Sequence, residues 1–508
     1  MTNRHTTLGA LEARLAREDL LAGDRRLPDG HAAREVWDVT ADSRQVRVGA
    51  VFCAWKGTSS DAHQYLPAIF EAGACGAVVE ASDDDIPTPQ LCVTDGRRGA
   101  AYAAAEFFDD PWSHMTLVGV TGTNGKTTTA AMLRHLLSLD GPAGYIGTLG
   151  AVGADGEVIP GTEGLTTPGP VEAARWLRRF LDEGASRVSM EVSSHALEQS
   201  RMAAARFDAA VFTNLTRDHL DYHGTLEAYR DAKLLLLHLL KSTGAAVLNA
   251  DDPAWRGVVS PIGRTIRFAV ERAGDADVDV AAEDVRVGPE GMQFTLRTPD
   301  GAQPVALPVF GDFNVSNAVA SAAVLWSLGW DPARIAQALG TLPQVPGRLE
   351  RIAGPPRSAT VLRDYAHTPD ALERALAAVR PLVTGRLIVV FGAGGDRDTG
   401  KRPEMGAIAA RLADLAIVTS DNPRTEDPER ILDDIERGME DAPRLRLSDR
   451  REAIRTALIE GRPDDLVLLA GKGHETYQIV GTEKRPFDER AIVHEILAEL
   501  QSAAGGDV

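Results

Sequence analysis

Residues Leu117 to Thr129 read LVGVTGTNGKTTT: an apolar run turns glycine-rich and then opens a helical pattern at Gly-Lys-Thr. Glycines in such a turn let backbone N–H groups crowd around phosphate oxygens, and the start of the helix adds a favourable dipole for an anion. Lys126 can reach the β and γ phosphates, and the Thr127 hydroxyl is placed to hold Mg²⁺. Val120 stands where the usual GxxxxGK[ST] pattern has its first glycine, so the strand–loop–helix context carries the assignment. A nucleoside triphosphate with Mg²⁺ is the expected occupant.

Three residues further along suit the same chemistry. Glu191 closes the strand-like SRVSME; a carboxylate there fits a Mg²⁺ ligand or an ordinary ion pair equally well. His219 follows the strand-like AAVFTNL beside Asp218, and a lone histidine is more often structural than a ligand. Lys233 borders the apolar run LLLL, where spacing alone favours a surface lysine lying along apolar neighbours.

The elements that must position these residues alternate. Up to about residue 112, AVFCAW, YLPAIFEAG and GAVVE predict strand, helix and strand, a compact α/β unit. From Met115 onward, VSMEVSS, AAVFTNL, AAVLNA and the helix in NVSNAVASAAVLWSLG predict an open α/β sheet with helices on its faces. Arg264 to Val309 reads as a β-rich insertion, and VPGRLERIAGPPR as a hinge. Beyond it RLIVVFGAGG, LAIVTSDNP and DLVLLAGKG predict a Rossmann-type doubly wound domain, with ligands at the carboxyl ends of its strands. The expectation is three domains, residues 1–112, 113–346 and 347–508.

Composition fits an ordinary soluble globular protein. At 508 residues a single core is excluded, and a net charge of −19 argues against a general nucleic-acid or anionic-membrane binder. Cys53, Cys75 and Cys92 lack zinc spacing and read as small buried groups of a reduced protein. The start, MTNRHTTLGALEARLARED, reads as an amphipathic helix without the apolar core of a signal peptide. No run approaches 18 uncharged apolar residues, so a cytoplasmic protein that neither spans nor binds a membrane is expected.

Taken in order, TGTNGKTTT, MEVSSHALEQSR, TNLTRDHLDYHG, FNVSNAVA, PGRLE, DYAHTPDALE, GGDRDTGKRPEMG, SDNPR and AGKGHETYQIV resemble the Mur ligase family over nearly the whole chain. The resemblance implies three α/β domains: a small N-terminal one for a UDP sugar, a central P-loop one for ATP, and a Rossmann-like C-terminal one for an incoming amino acid. It implies an acyl-phosphate route, in which ATP phosphorylates a terminal carboxylate and an amine then displaces phosphate. The expected partners are a UDP-N-acetylmuramoyl dipeptide, ATP and an amino acid, and the expected state is a monomer.

Site roles follow from the resemblance by position. Gly122, Thr123, Asn124, Gly125, Lys126, Thr127 and Thr128 would form the ATP loop. Asn314 and Asn317 would lie at adenine, with Arg348, Asp364 and His367 on the ribose and phosphate side. Thr127 and Glu191 would serve magnesium sites, with His219 completing the second and Lys233, once carbamylated, orienting the ion. Lys233 matches the lysine that such enzymes carbamylate, which reverses the surface reading. Thr166, Thr167, Ser193, Gln199 and Arg201 match positions for the UDP-sugar dipeptide, whereas Leu165 replaces a common asparagine. Ala41, Ser43, Thr58, Ser59 and Ser60 would meet the uridine and diphosphate end, and Asp61-Ala62 departs from the common Asp-Gly.

Asp421-Asn422-Pro423-Arg424 resembles the motif of the diaminopimelate-adding branch, with Arg397, Gly471 and Glu475 completing the pocket. Arg424 could grip the side-chain carboxylate that distinguishes meso-diaminopimelate from lysine, and Glu475 suits the distal ammonium. Alternatives are a lysine-adding or folylpolyglutamate-synthase-like relative, a P-loop phosphotransferase making no amide, and a nucleotide-binding regulator without catalysis.

Overall fold

The computed structural model describes residues 5–23, 27, 30–57, 60–86, 88–288, 291–354 and 358–505, the side chains of 503–505 excepted. The chain divides into two compact units: residues 1–281, 297–301 and 317–338 form the first, and 282–296, 302–316 and 339–508 the second.

The first unit opens with helix Leu8–Arg17, whose Thr7 hydroxyl accepts from the Ala10 N–H and caps it. A small parallel sheet follows, in the order Asp38–Thr40, Ala50–Cys53, Gly76–Val79, Gln90–Cys92. Its middle strands are buried throughout, as parallel strands covered on both faces must be. Helix Gly96–Phe107 has little polar surface left because it packs against both Leu8–Arg17 and Pro170–Asp182. Its run of alanines permits that close approach. Cys53 and Cys75 are buried and all three cysteines are unpaired.

The larger sheet of this unit is built outward from its centre. Strand Thr116–Thr121 lies between Arg187–Glu191 and Phe207–Phe212; Ala143–Gly147 flanks the first of these, Leu240–Asn249 and Arg264–Ala269 the second. These strands are all parallel, and a short antiparallel strand, Gly150–Val152, closes one edge. Because the order reverses at Thr116–Thr121, the crevice for ligands opens at its carboxyl end. The glycine-rich loop sits there.

The second unit carries strands in the order Glu350–Ala353, Thr360–Asp364, Leu466–Ala470, Leu387–Phe391, Leu415–Val418, Arg444–Arg446, parallel except for the first pair. Hydrophobic layers on its two faces hold Leu372, Leu376 and Met405 on one side and Ile454, Val493 and Ile496 on the other. Here too the chain leaves one strand and returns between two others, so the loops after Asp364, Phe391, Val418 and Ala470 converge. Within the expected insertion, strands run over Arg264–Ala269, Val280–Gly288, Gly291–Thr298 and Gly301–Leu307. No helix among the described residues is long and apolar enough to cross a membrane.

Candidate active site

The loop after Thr121 is shaped by its neighbours. Gly122 has φ +145°, and a Cβ there would collide with the Thr213 hydroxyl. That hydroxyl donates to Asn124 O at 2.6 Å, while the Asn214 side chain both accepts from the Asn124 N–H (2.9 Å) and donates to Asn124 O (3.2 Å). The Thr123 hydroxyl lies 3.3 Å from the Tyr229 hydroxyl and accepts from the Thr216 N–H. Strand Phe207–Phe212 and the segment after it thus mould the loop. Lys126 begins helix Lys126–Ser138 and curls back, its Nζ donating to Gly122 O and Thr123 O at 3.0 and 2.8 Å. Thr128 is buried in the first turn, and Asn317 places its Oδ1 against Gly125 and accepts from the Thr129 hydroxyl.

Glu191 is wholly buried, and its carboxylate accepts from the Tyr145 hydroxyl (2.6 Å), the Thr148 N–H (2.8 Å), the Thr127 hydroxyl (3.1 Å) and the Thr148 hydroxyl (3.3 Å). These partners are neutral donors rather than an ion-pair cation. A carboxylate and a threonine hydroxyl in contact form a set of hard oxygens, the chemistry Mg²⁺ takes.

Lys233 is 1% exposed, which overturns the surface placement suggested by its apolar neighbours. Its Nζ donates to Gly122 O at 2.8 Å and lies 4.2 Å from the Tyr229 ring centroid. Burial, with the charge of Lys126 as a second cause, holds its amine well below the usual lysine range. His219 is exposed, has φ +53°, and stacks edge-on with His195 at 4.7 Å; Tyr222 and His223 complete that aromatic group. The structure therefore joins Thr127 to Glu191 and Lys233 to the loop, and sets His219 in an imidazole cluster. Among the described residues no three His, Cys, Asp or Glu side chains converge as a metal site.

The residues expected to meet the dipeptide form one network. The Thr167 hydroxyl donates to Glu191 O and accepts from the Ser193 N–H, both at 3.0 Å. The Arg201 guanidinium donates to Thr167 O at 3.1 Å and to Gln199 Oε1 at 2.7 Å. Thr166 is half-buried next to an exposed Leu165. Ala41 and Ser43 lie half-buried just past strand Asp38–Thr40, where Asp42 caps the turn and pairs with Arg44. Ser60 is exposed and accepts, through its carbonyl, from the Gly57 N–H; Thr58 and Ser59 lie outside the described residues.

In the second unit the backbone of Gly347 packs directly on Gly473 and His474, leaving no room for a Cβ, and the Tyr365 N–H donates to Gly347 O. Asp364 accepts from the Leu349 N–H at 2.7 Å, and burial raises its carboxyl. The Arg348 guanidinium lies over the Tyr365 ring, and His367 contacts Tyr365 O at 2.8 Å. Asn314 donates to Phe310 O at 2.7 Å.

A second cluster surrounds the loop after strand Leu415–Val418. Asp421, Asn422 and Pro423 are buried. Arg424 is a non-glycine residue at φ +52° whose guanidinium donates to Gly395 O at 2.7 Å, and Gly394 lies between it and the stem of Arg397. The Asn422 amide donates to Glu475 at 3.0 Å, and burial raises the Glu475 carboxyl. Gly471 sits against the Asp421 carboxylate. Hairpin Tyr477–Val480/Glu483–Pro486 straps the loop: Arg424 N–H donates to Ile479 O and Gly481 N–H to Arg424 O.

Several shaping residues escaped the sequence reading. Thr213, Asn214 and Tyr229 lay within or beside quoted motifs but carry no signature of their own. Tyr145, Thr148 and Lys472 reach their partners only through the fold.

Residues 120–325 match the model of the Mur ligase middle domain, and residues 347–473 that of the Mur ligase glutamate ligase domain. A protein of Gloeobacter violaceus named UDP-N-acetylmuramoyl-L-alanyl-D-glutamate–2,6-diaminopimelate ligase is 43% identical, covering 94% of this chain and 96% of its own. One of the same name from Synechococcus elongatus is 44% identical, covering 93% and 96%. A solved structure of a ligase of that name superposes with TM-score 0.68 at 31% identity, covering 95% and 98%. The MurF ligase of Thermotoga maritima in complex with ADP shares the fold, with TM-score 0.63 at 21% identity over 92% and 98%. A P-loop moulded by its neighbouring strand, a Rossmann-like sheet behind it in the sequence, and relatives aligned end to end give one conclusion: the chain belongs to the Mur ligase family.

Proposed function

We propose that the chain joins meso-2,6-diaminopimelate to the D-glutamate γ-carboxylate of UDP-N-acetylmuramoyl-L-alanyl-D-glutamate at the expense of ATP, in the cytoplasm and as a monomer. The names of relatives at 43–44% identity support it. The observation that carries the choice of amine is the loop Asp421–Arg424, which bears a guanidinium at one end and, through Asn422, the Glu475 carboxylate. Arg424 would take the side-chain carboxylate and Glu475 the distal ammonium, a pair of charges lysine cannot satisfy.

The substrate carboxylate attacks the γ-phosphorus of ATP, ADP leaves, and an acyl phosphate forms. The amine nitrogen then adds to its carbonyl carbon; the tetrahedral species expels inorganic phosphate and loses a proton as the amide forms. The N–H groups of Gly122 to Thr128 and the Lys126 ammonium hold the phosphates in line. Mg²⁺, when bound, would neutralise the transferring phosphoryl, and Thr127, Glu191, His219 and modified Lys233 would hold or orient it. Lys233 suits carbamylation because a buried amine beside Lys126 favours its neutral form, whose lone pair can add to CO₂ with loss of a proton. The resulting anion would attract Lys126 where the ammonium repels it.

Thr166, Thr167, Ser193, Gln199 and Arg201 would hold the dipeptide, and Ala41, Ser43 and Thr58 to Ser60 the UDP end. Asn314, Asn317, Arg348, Asp364 and His367 would hold the nucleoside and its phosphates. Residues 1–112, 113–346 and 347–508 would divide the three substrates between them.

The test is phosphate and ADP release from the UDP-muramyl dipeptide with ATP, comparing meso-diaminopimelate and L-lysine. Release that requires diaminopimelate is expected. Release without any amine, or equal rates with lysine, would defeat the reading.

A further inference from the structure

Lys472 is the one completely buried lysine of the second unit among the described residues, and its Nζ sits beneath the amine pocket. It donates to Asn422 Oδ1 at 2.9 Å and to Tyr477 O at 3.0 Å, and lies 3.3 Å from Asp421 Oδ1 and 3.6 Å from Glu475 Oε2. One ammonium therefore touches the strand-end loop, its own loop and the strapping hairpin. The Asn422 side chain is fixed at both ends: its oxygen accepts from Lys472 and from the Ile479 N–H, and its nitrogen donates to Glu475. A buried cation is costly unless paired, so this position is held for what it organises.

The charges point to the same role. Asp421 and Glu475 contribute two carboxylates and Lys472 one cation, leaving one negative charge where a ligand ammonium would arrive. Asp421 Oδ1 is buried and meets the Lys472 ammonium at 3.3 Å, so the same cation holds both carboxylates. Glu475 also feels Tyr365 and Tyr477, and neither offers it a cation.

We propose that Lys472 is a positioning residue for the amino-acid acceptor: it orients Asn422 and Glu475 and keeps the Glu475 carboxylate charged for the distal ammonium. This rests on the diaminopimelate pocket proposed above. Lys472 acts through its neighbours.

The test compares the full-length enzyme with Lys472→Met and Lys472→Arg, titrating meso-diaminopimelate, ATP and the UDP-dipeptide separately. Lys472→Met should raise KM for diaminopimelate roughly ten- to a hundredfold while KM for ATP stays within about twofold, as loss of charged hydrogen bonds in one pocket requires. The acidic limb of kcat/KM for diaminopimelate should move to higher pH, because without the cation Glu475 holds its proton longer. Lys472→Arg, which keeps the charge, should recover the pH limb but only part of the affinity. An unchanged KM for diaminopimelate in either folded variant overturns the proposal, as does an equal rise in KM for ATP. If Lys472→Met does not fold, Lys472→Arg decides by its own KM ratio. A wild-type enzyme that ignores diaminopimelate would instead overturn the pocket reading itself.

Discussion

Replacing Arg424 by alanine removes a guanidinium that donates to Gly395 O at 2.7 Å and lies beside the stem of Arg397 across Gly394. If that fork grips the ligand carboxylate, the loss is that of charge-assisted hydrogen bonds, about 1.5–3 kcal/mol. KM for meso-diaminopimelate should then rise roughly ten- to a hundredfold. KM for ATP should move little, since the guanidinium donates to Gly395 O and is not one of the groups assigned to ATP. The fold should tolerate the change: the backbone stays at φ +52°, a conformation costing any non-glycine residue about 1–2 kcal/mol, and alanine inherits that cost. Arg424→Gly removes the strain, so it should melt higher than Arg424→Ala while binding diaminopimelate as poorly. Arg424→Lys should rescue little, because an ammonium cannot reproduce the planar fork. The assay is phosphate release against diaminopimelate concentration, paired with thermal unfolding of each variant. An unchanged KM in a folded Arg424→Ala enzyme would refute the assignment of this guanidinium to the ligand.

Further outcomes follow from the same geometry. Lys233→Ala should lower kcat by at least about a hundredfold, the scale of losing one preorganised electrostatic group, with partial rescue by acetate or formate; full activity in the variant would discard the carbamate. Gly122→Ala puts a methyl group on the Thr213 hydroxyl in a backbone region L residues avoid, and should cost about 1–3 kcal/mol in denaturant unfolding and weaken ATP binding. His474 is held by burial, with Arg348 and Arg363 adding to it, at a pKa of about 4 against an ordinary 6.5. Its depressed native value means the unfolded chain takes up a proton first, so stability falls as pH drops from 6.5 towards 4. His474→Gln should lessen the slope of urea midpoints between pH 7 and 4, where His195 is depressed to about the same value and still contributes, and an unaltered slope would count against it.

Much of the scaffold was legible because parallel strands buried on both faces announce themselves as continuous apolar runs, as LIVVF and LVLLA do. The glycine-rich loop was legible from its setting, a strand running into Gly-Lys-Thr at the start of a helix, because Val120 breaks the usual spacing. Lys233 misled for a physical reason: a lysine beside LLLL has the same local pattern whether it snorkels outward or is buried under Tyr229. Glu191 was undecidable because its four donors come from Tyr145, Thr148 and Thr127, brought together only by neighbouring strands. Lys472 went unnoticed because its value lies in touching Asn422, 50 residues away, and nothing local records that.

The contact of Gly347 on Gly473 and His474 makes distant stretches of the chain share one steric limit. The motifs VPGRLE, DYAHTPD and AGKGHE are far apart in the chain, yet Gly347, Tyr365 and Gly473 meet where there is room for backbone but for no methyl group at either glycine. A side chain gained in one motif has to displace another, and the displaced one carries Lys472 and Glu475 on the same short loop. A methyl group at Gly347 should therefore shift the backbone that carries Lys472 and Glu475, although neither residue touches the first motif's glycine.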